Sequence, residues 1–102
     1  MRIIAIQTIR RYYEQNPKAK TALSAWVDTV RHADWKCFAD IKATFNSVDY
    51  VGNQHYVFNI KGNDYRMVVV IKFVPGFVLI RFIGTHEEYD RIDCSTIYGS
   101  II

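Results

Sequence analysis

Residues His55–Gly84, HYVFNIKGNDYRMVVVIKFVPGFVLIRFIG, decide the fold. Here the apolar period is close to two, and β-branched and aromatic residues dominate, as in a strand that buries one face. Gly62-Asn63 and Pro75-Gly76 interrupt the run with short turn signals. Three antiparallel strands follow, over His55–Lys61, Asp64–Val74 and Phe77–Gly84, joined by tight hairpins. With two-residue turns, the pairing places Asn59 opposite Arg66, Val57 opposite Val68 and His55 opposite Val70. On the next strand it places Val70 opposite Arg81 and Arg66 opposite Thr85. One face then carries His55, Asn59, Arg66, Lys72, Arg81 and Thr85 among Val57, Val68, Val70 and Leu79. The other carries Tyr56, Phe58, Ile60, Tyr65, Met67, Val69, Ile71, Phe73, Val78, Ile80 and Phe82, a surface for helices to cover.

Upstream the period lengthens to that of a helix. Ile3–Ile6 is a short β-branched run, read as a first strand, with the apolar start of the following helix as the alternative. Gln7–Gln15 presents Ile9, Tyr12 and Tyr13 at helical spacing, with Arg10, Arg11 and Glu14 elsewhere on the wheel. Asn16-Pro17 pairs an N-cap residue with a proline suited to the first helical position, which starts a second helix over Pro17–Arg31. Its apolar stripe is Ala22, Leu23, Trp26, Val27 and Val30. Phe38, Ile41 and Phe45 give a third, shorter helix within Asp34–Phe45, and residues 46–53 form a linker with room for a short strand. Downstream, Thr85 followed by Glu88 is a capping box, opening a short helix from His86 to about Ile92. The tail Asp93–Ile102 carries no clear pattern. The expectation is one α+β domain over residues 1–102: N-terminal helices on one face of a mainly antiparallel sheet, and a short C-terminal helix.

The chain has 102 residues, half of them apolar, enough for one core. A formal net charge of +3 favours polyanionic partners only mildly. Cys37 and Cys94 lack the spacing of a zinc site or a disulfide framework and read as free thiols. No metal or other cofactor is expected. The opening run is too short for a signal sequence or a membrane span, so the expected location is cytoplasmic, without membrane association.

The sheet face and the C-terminal helix together suggest chemistry. His86 in the first turn and Tyr89 three positions on share a side of the helix, near the end of the third strand. Cleavage of RNA by its own 2′-hydroxyl needs a base, an acid for the leaving oxygen and cations for the charge that develops on phosphorus. Arg66, Arg81, His86 and Tyr89 supply these groups without a metal, and histidine titrates near neutral pH. Plainer readings stand beside this one. Arg66 and Arg81 also suit an ordinary solvated face, His86 an ordinary helix start, and Tyr89 a place in the core. His32 and His55 read as incidental. Lys18, Lys20, Lys36 and Lys42 read as solvated helix surface, of a kind that an RNA or ribosome contact would also use.

Val57–Arg66 (VFNIKGNDYR) and Ile80–Asp90 (IRFIGTHEEYD) resemble two signatures of HigB-type toxins of the RelE-like superfamily. Ala33-Asp34-Trp35-Lys36, Asp40-Ile41-Lys42-Ala43 and Val51-Gly52-Asn53 add to the likeness, which spans nearly the whole chain. The resemblance implies a compact RelE-like toxin that acts as an mRNA endoribonuclease, an mRNA interferase, in the ribosomal A site. It implies neutralisation by a helix-turn-helix antitoxin of the HigA type. Catalytic roles carry over to Arg66, His86 and Tyr89, and RNA contacts to Arg81, Lys61, Lys72 and Asn59. The alternative is a non-catalytic RNA- or ribosome-binding module using the same basic face, and a third reading is a protein-interaction domain.

Overall fold

A computed structural model describes residues 1–92. The elements run β1 (Arg2–Ile4), α1 (Ile6–Gln15), α2 (Lys20–His32), α3 (Phe38–Thr44), β2 (Asp49–Gly52), β3 (His55–Ile60), β4 (Tyr65–Lys72), β5 (Phe77–Thr85) and α4 (His86–Arg91). The strands form one sheet in the order β1-β5-β4-β3-β2, antiparallel except for β1, which lies parallel to β5. This is the expected α+β architecture, with the helices of the first half against one sheet face.

That face is apolar because alternate residues of three strands supply it. Tyr56, Phe58, Ile60, Met67, Val69, Ile71, Val78 and Ile80 form one buried cluster with Ile9 of α1, Leu23, Trp26 and Val30 of α2, Trp35, and Ile41 of α3. Phe58 is the hub: its ring centroid lies 5.4 Å from that of Trp26, 5.2 Å from Phe45 and 6.5 Å from Trp35. Trp35 reaches this centre from the segment before α3, and α3 lies within Asp34–Phe45 as expected. Asp40 accepts a hydrogen bond from the Lys36 backbone at 2.8 Å and fixes that approach.

Asn16 does not cap the second helix. Its amide donates to the Tyr12 carbonyl at 3.0 Å, closing the end of α1 instead, and Pro17–Ala19 form a 3-10 turn before α2 begins at Lys20. The first strand is Arg2–Ile4 rather than Ile3–Ile6, because Ala5 takes a left-handed conformation (φ 67°) that ends the strand and turns the chain into α1.

The β3–β4 register is as expected, with His55 opposite Val70, Val57 opposite Val68 and Asn59 opposite Arg66. The β4–β5 register is not. Phe73–Gly76 loop out between the paired residues Lys72 and Phe77, so Val70 faces Leu79 rather than Arg81. That shift of two residues keeps the faces. Past it, the pairing jumps from Val69–Ile80 to Val68–Phe82, leaving Arg81 as the extra residue of a β-bulge. Beyond the bulge Arg66 faces Gly84, and Thr85 faces Tyr65 on the core side, not Arg66. Phe82 turns onto the Arg66 face, and Ile83 takes the place against the core that alternation assigns to Phe82.

The second face is not the open polar surface that alternation suggests. Val57, Val68, Val70 and His55 are all buried there. His55 is fully buried, and its Nδ1 lies 2.8 Å from the Asn53 carbonyl, so the proton sits on Nδ1. Burial pushes the imidazole below its ordinary pKa, and the charge of Arg81 adds to the shift against the Asn53 and Gly52 carbonyls, which favour the protonated form. Cys37 is exposed and unbridged, while Cys94 and the Asp93–Ile102 tail lie outside the described residues.

Two outcomes are expected. Phe58→Ala removes the shared partner of three aromatic rings and costs about 3–5 kcal/mol in urea unfolding. For His55 the folded form resists protonation, so the unfolded chain binds more protons below pH ~6.5 and stability falls as the pH drops through that value. In His55→Gln, the part of the decline in urea midpoint between pH ~7.5 and ~5 that comes from this group disappears.

Candidate active site at the end of the sheet

The local sequence around α4 explains its position. The Thr85 hydroxyl accepts from the Glu88 backbone at 3.1 Å, and the Glu88 carboxylate accepts from the Thr85 backbone at 2.8 Å. This reciprocal pair is the expected capping box, and it satisfies two helix-end donors at once. The His86 amide also reaches the Asp64 carbonyl at 3.4 Å, tying the first turn of α4 to the β3–β4 loop. The helix is thus fixed across the ends of β4 and β5.

That anchoring brings α4 to Arg66. The Arg66 guanidinium lies 4.9 Å from the Tyr89 ring centroid, a cation–π contact that orients the arginine along the helix. Arg66 is half-buried, and its buried Nε has no hydrogen-bond partner among the described residues. His86, one turn before Tyr89, occupies the adjoining side of α4. Its Nδ1 stands 3.1 Å from the Asp90 carboxylate, leaving Nε2 on the opposite edge of the ring to meet a ligand. His86 lines an open pocket of about 360 Å³ with Asn63, Asp64, Thr85 and Glu87.

The other candidates are more dispersed. Arg81, at the bulge beside Val68, lies on the buried-valine face, close enough to His55 to influence its titration. Lys72 is six residues from Arg66 along β4, about 20 Å at strand rise, and stands at the far end of the sheet. Asn59 pairs with Arg66, but with Lys61 it lines a groove at the β3 edge against Ala22, Ala25, Trp26 and Thr29 of α2. Lys61 also stands 3.9 Å from Asp64. The structure therefore gathers Arg66 and Tyr89 with His86 on the same short helix, places Arg81 nearby, and leaves Lys72 apart.

Sequence reasoning misses two participants. Asp90 is four residues after His86, a helical spacing that is readable as an ion pair. Phe82 has no such signal, since only the bulge brings it to this face. Its ring lies over Gly84, where a Cβ would come within 2.6 Å of the ring. Among the described residues no cluster of three His, Cys, Asp or Glu could hold a metal ion, and no helix is long and apolar enough to cross a membrane.

A helix-covered, mainly antiparallel sheet whose open end presents arginine, histidine and tyrosine defines a small RelE-like domain. Residues 19–92 match the family model HigB_toxin, described as the RelE-like toxic component of a toxin-antitoxin system, and the chain belongs to that family. Among curated relatives, it is 36% identical over 93 residues to the mRNA interferase toxin HigB of Escherichia coli strain K12, covering 88% of each chain. The mRNA interferase HigB of Escherichia coli O157:H7 shows the same identity and coverage. That of strain O6:H1 is 24% identical over 94 residues, covering 90% of this chain and 91% of the relative.

Because the capping box holds α4 in place, Thr85→Ala lowers stability by about 1 kcal/mol in denaturant unfolding, and Thr85→Ser restores most of it.

Proposed function

We propose that this member of the toxin family is an mRNA endoribonuclease that cuts its substrate on the ribosome and is silenced by a helix-turn-helix antitoxin of the HigA type. The observation that carries the mechanism is the Arg66–Tyr89 stack on the short helix that also carries His86. A carboxylate-paired imidazole, a phenol and a guanidinium at one rim meet the needs of phosphodiester cleavage by an internal nucleophile.

In this reading one of His86 and Tyr89 takes the proton from the ribose 2′-hydroxyl as its oxygen attacks phosphorus. The other gives a proton to the departing 5′-oxygen as the P–O bond breaks, leaving a 2′,3′-cyclic phosphate and a 5′-hydroxyl. Arg66, held by the Tyr89 ring, donates to the equatorial phosphoryl oxygens as charge builds on them. Arg81 binds the neighbouring phosphate, and Phe82 brings an apolar surface to the same face. Lys72, Lys61 and Asn59 contact the RNA strand farther out, at the sheet end and the β3 edge.

Supplied to translating ribosomes, the wild-type protein cuts mRNA, while Arg66→Ala and His86→Ala each lose on the order of 10²-fold or more in rate, as expected for a transition-state cation or a proton-transfer group. Tyr89→Phe keeps the ring beneath Arg66 and separates the roles: a comparable loss assigns proton transfer to the hydroxyl, and a small one assigns the ring to orienting Arg66. Wild-type protein that binds ribosomes but leaves mRNA intact removes the enzymatic reading in favour of a binding module.

A further inference from the structure

The positive charge of this protein is not where its candidate active site is. Residues 1–33 hold six Lys and Arg against two Asp and Glu, whereas residues 34–102 hold seven against eight. The whole excess lies in β1, at the sheet edge, and in the α1–α2 hairpin, which covers the opposite face of the sheet from Arg66. Arg2, Arg10, Arg11, Lys18, Lys20 and Arg31 are all exposed, and none forms an ion pair among the described residues. Several cations of the second part are engaged: Lys36 with Asp34, Lys61 with Asp64, Lys42 with the Asn46 and Val48 carbonyls, and Arg66 with Tyr89.

The fold collects these charges at the two ends of the hairpin. The Lys20 ammonium lies 5.7 Å from the Tyr13 ring centroid, joining the end of α1 to the start of α2. Arg10 and Arg11 are within one turn of Tyr13, and Lys18 is two residues from Lys20, so four cations gather there around one exposed carboxylate, Glu14. At the other end the Met1 ammonium donates to the Val30 and Ala33 carbonyls, setting Arg2 beside the end of α2 that carries Arg31. The two clusters stand about 20 Å apart along the helical residues of α2.

We propose that the outer surface of this helical layer is a second RNA-binding surface, which takes the phosphate backbone of double-helical RNA independently of the candidate active site. Its chemistry favours a nucleic-acid backbone over a protein. The exposed large apolar residues, Phe38, Tyr50 and Val74, all lie outside residues 1–33, so this surface lacks the apolar centre of a protein interface. Between its cations it presents Gln7, Thr8, Gln15, Thr21 and Ser24, side chains that hydrogen-bond phosphate oxygens without reading bases. A-form duplexes are recognised mainly by such backbone contacts.

The test measures binding of a blunt RNA duplex, free of single strand, as a function of salt. It compares wild type, the quadruple variant Arg10→Gln, Arg11→Gln, Lys18→Gln, Lys20→Gln, and the Arg66→Ala variant, with matching far-UV spectra and melting midpoints as the folding control. Wild type binds with affinity that falls steeply as salt rises, and Arg66→Ala, which removes one cation from the candidate active site, lowers the slope by at most about one unit. The quadruple variant flattens the slope of log affinity against log salt by about three to four units and binds about 100-fold more weakly at low salt. The proposal is overturned if wild type does not bind the duplex, if the quadruple variant binds it equally well, or if a polyglutamate of equal charge displaces the duplex at equal concentration. Because no cleavage is measured, these outcomes are separate from the fate of the nuclease reading.

Discussion

The buried face of the sheet depends on Phe58. Its ring is met by Trp26 from α2, Trp35 from the segment before α3 and Phe45 from just after it, so three stretches of chain distant in sequence share one partner. Aromatic pairs of this kind add edge-to-face and offset contacts to the area they bury. With that centre filled, α1 and α2 lie against β5 and β1, and the other face is left to carry Arg66 and Arg81. Because the aromatic centre holds the layers together, the rim at the end of the sheet is free to hold polar and charged groups.

The rim is shaped by two local devices. The bulge at Arg81 puts one extra residue into β5, and with it Phe82 changes sides, Ile83 enters the core and Gly84 faces Arg66. The capping box of Thr85 and Glu88 then starts α4 immediately after the strand, so that Tyr89 reaches the Arg66 guanidinium. Without the bulge, the residues beyond Ile80 would keep the Val69–Ile80 register, Phe82 would stay on the core face, and α4 would leave the sheet in a different direction.

The two surfaces of the molecule differ in the state of their charges. At the rim Arg66 and His86 each have a partner that orients them, the Tyr89 ring for the first and the Asp90 carboxylate for the second. Such preorganisation suits a group that must meet charge developing at one atom. On the helical layer the cations are exposed and without ion pairs among the described residues, an arrangement suited to a diffuse polyanion and sensitive to salt.

The sequence by itself determined the features that rest on near neighbours. The period of two over His55–Gly84, the stripe of α2, the Thr85–Glu88 box and the β3–β4 register were all legible, because each depends on spacing within a few residues or across one short loop. The strings around Asn59–Arg66 and Arg81–Tyr89 also pointed to the toxin family. Only the tertiary structure decided the parallel pairing of β1 with β5, the side on which Phe82 emerges, and the burial of His55 and its valine neighbours. Each of these depends on a choice between pairings of similar local quality, and burial of the whole sheet face settles that choice. A single extra residue at Arg81 reverses every side chain beyond it, and no local pattern records where the extra residue will fall.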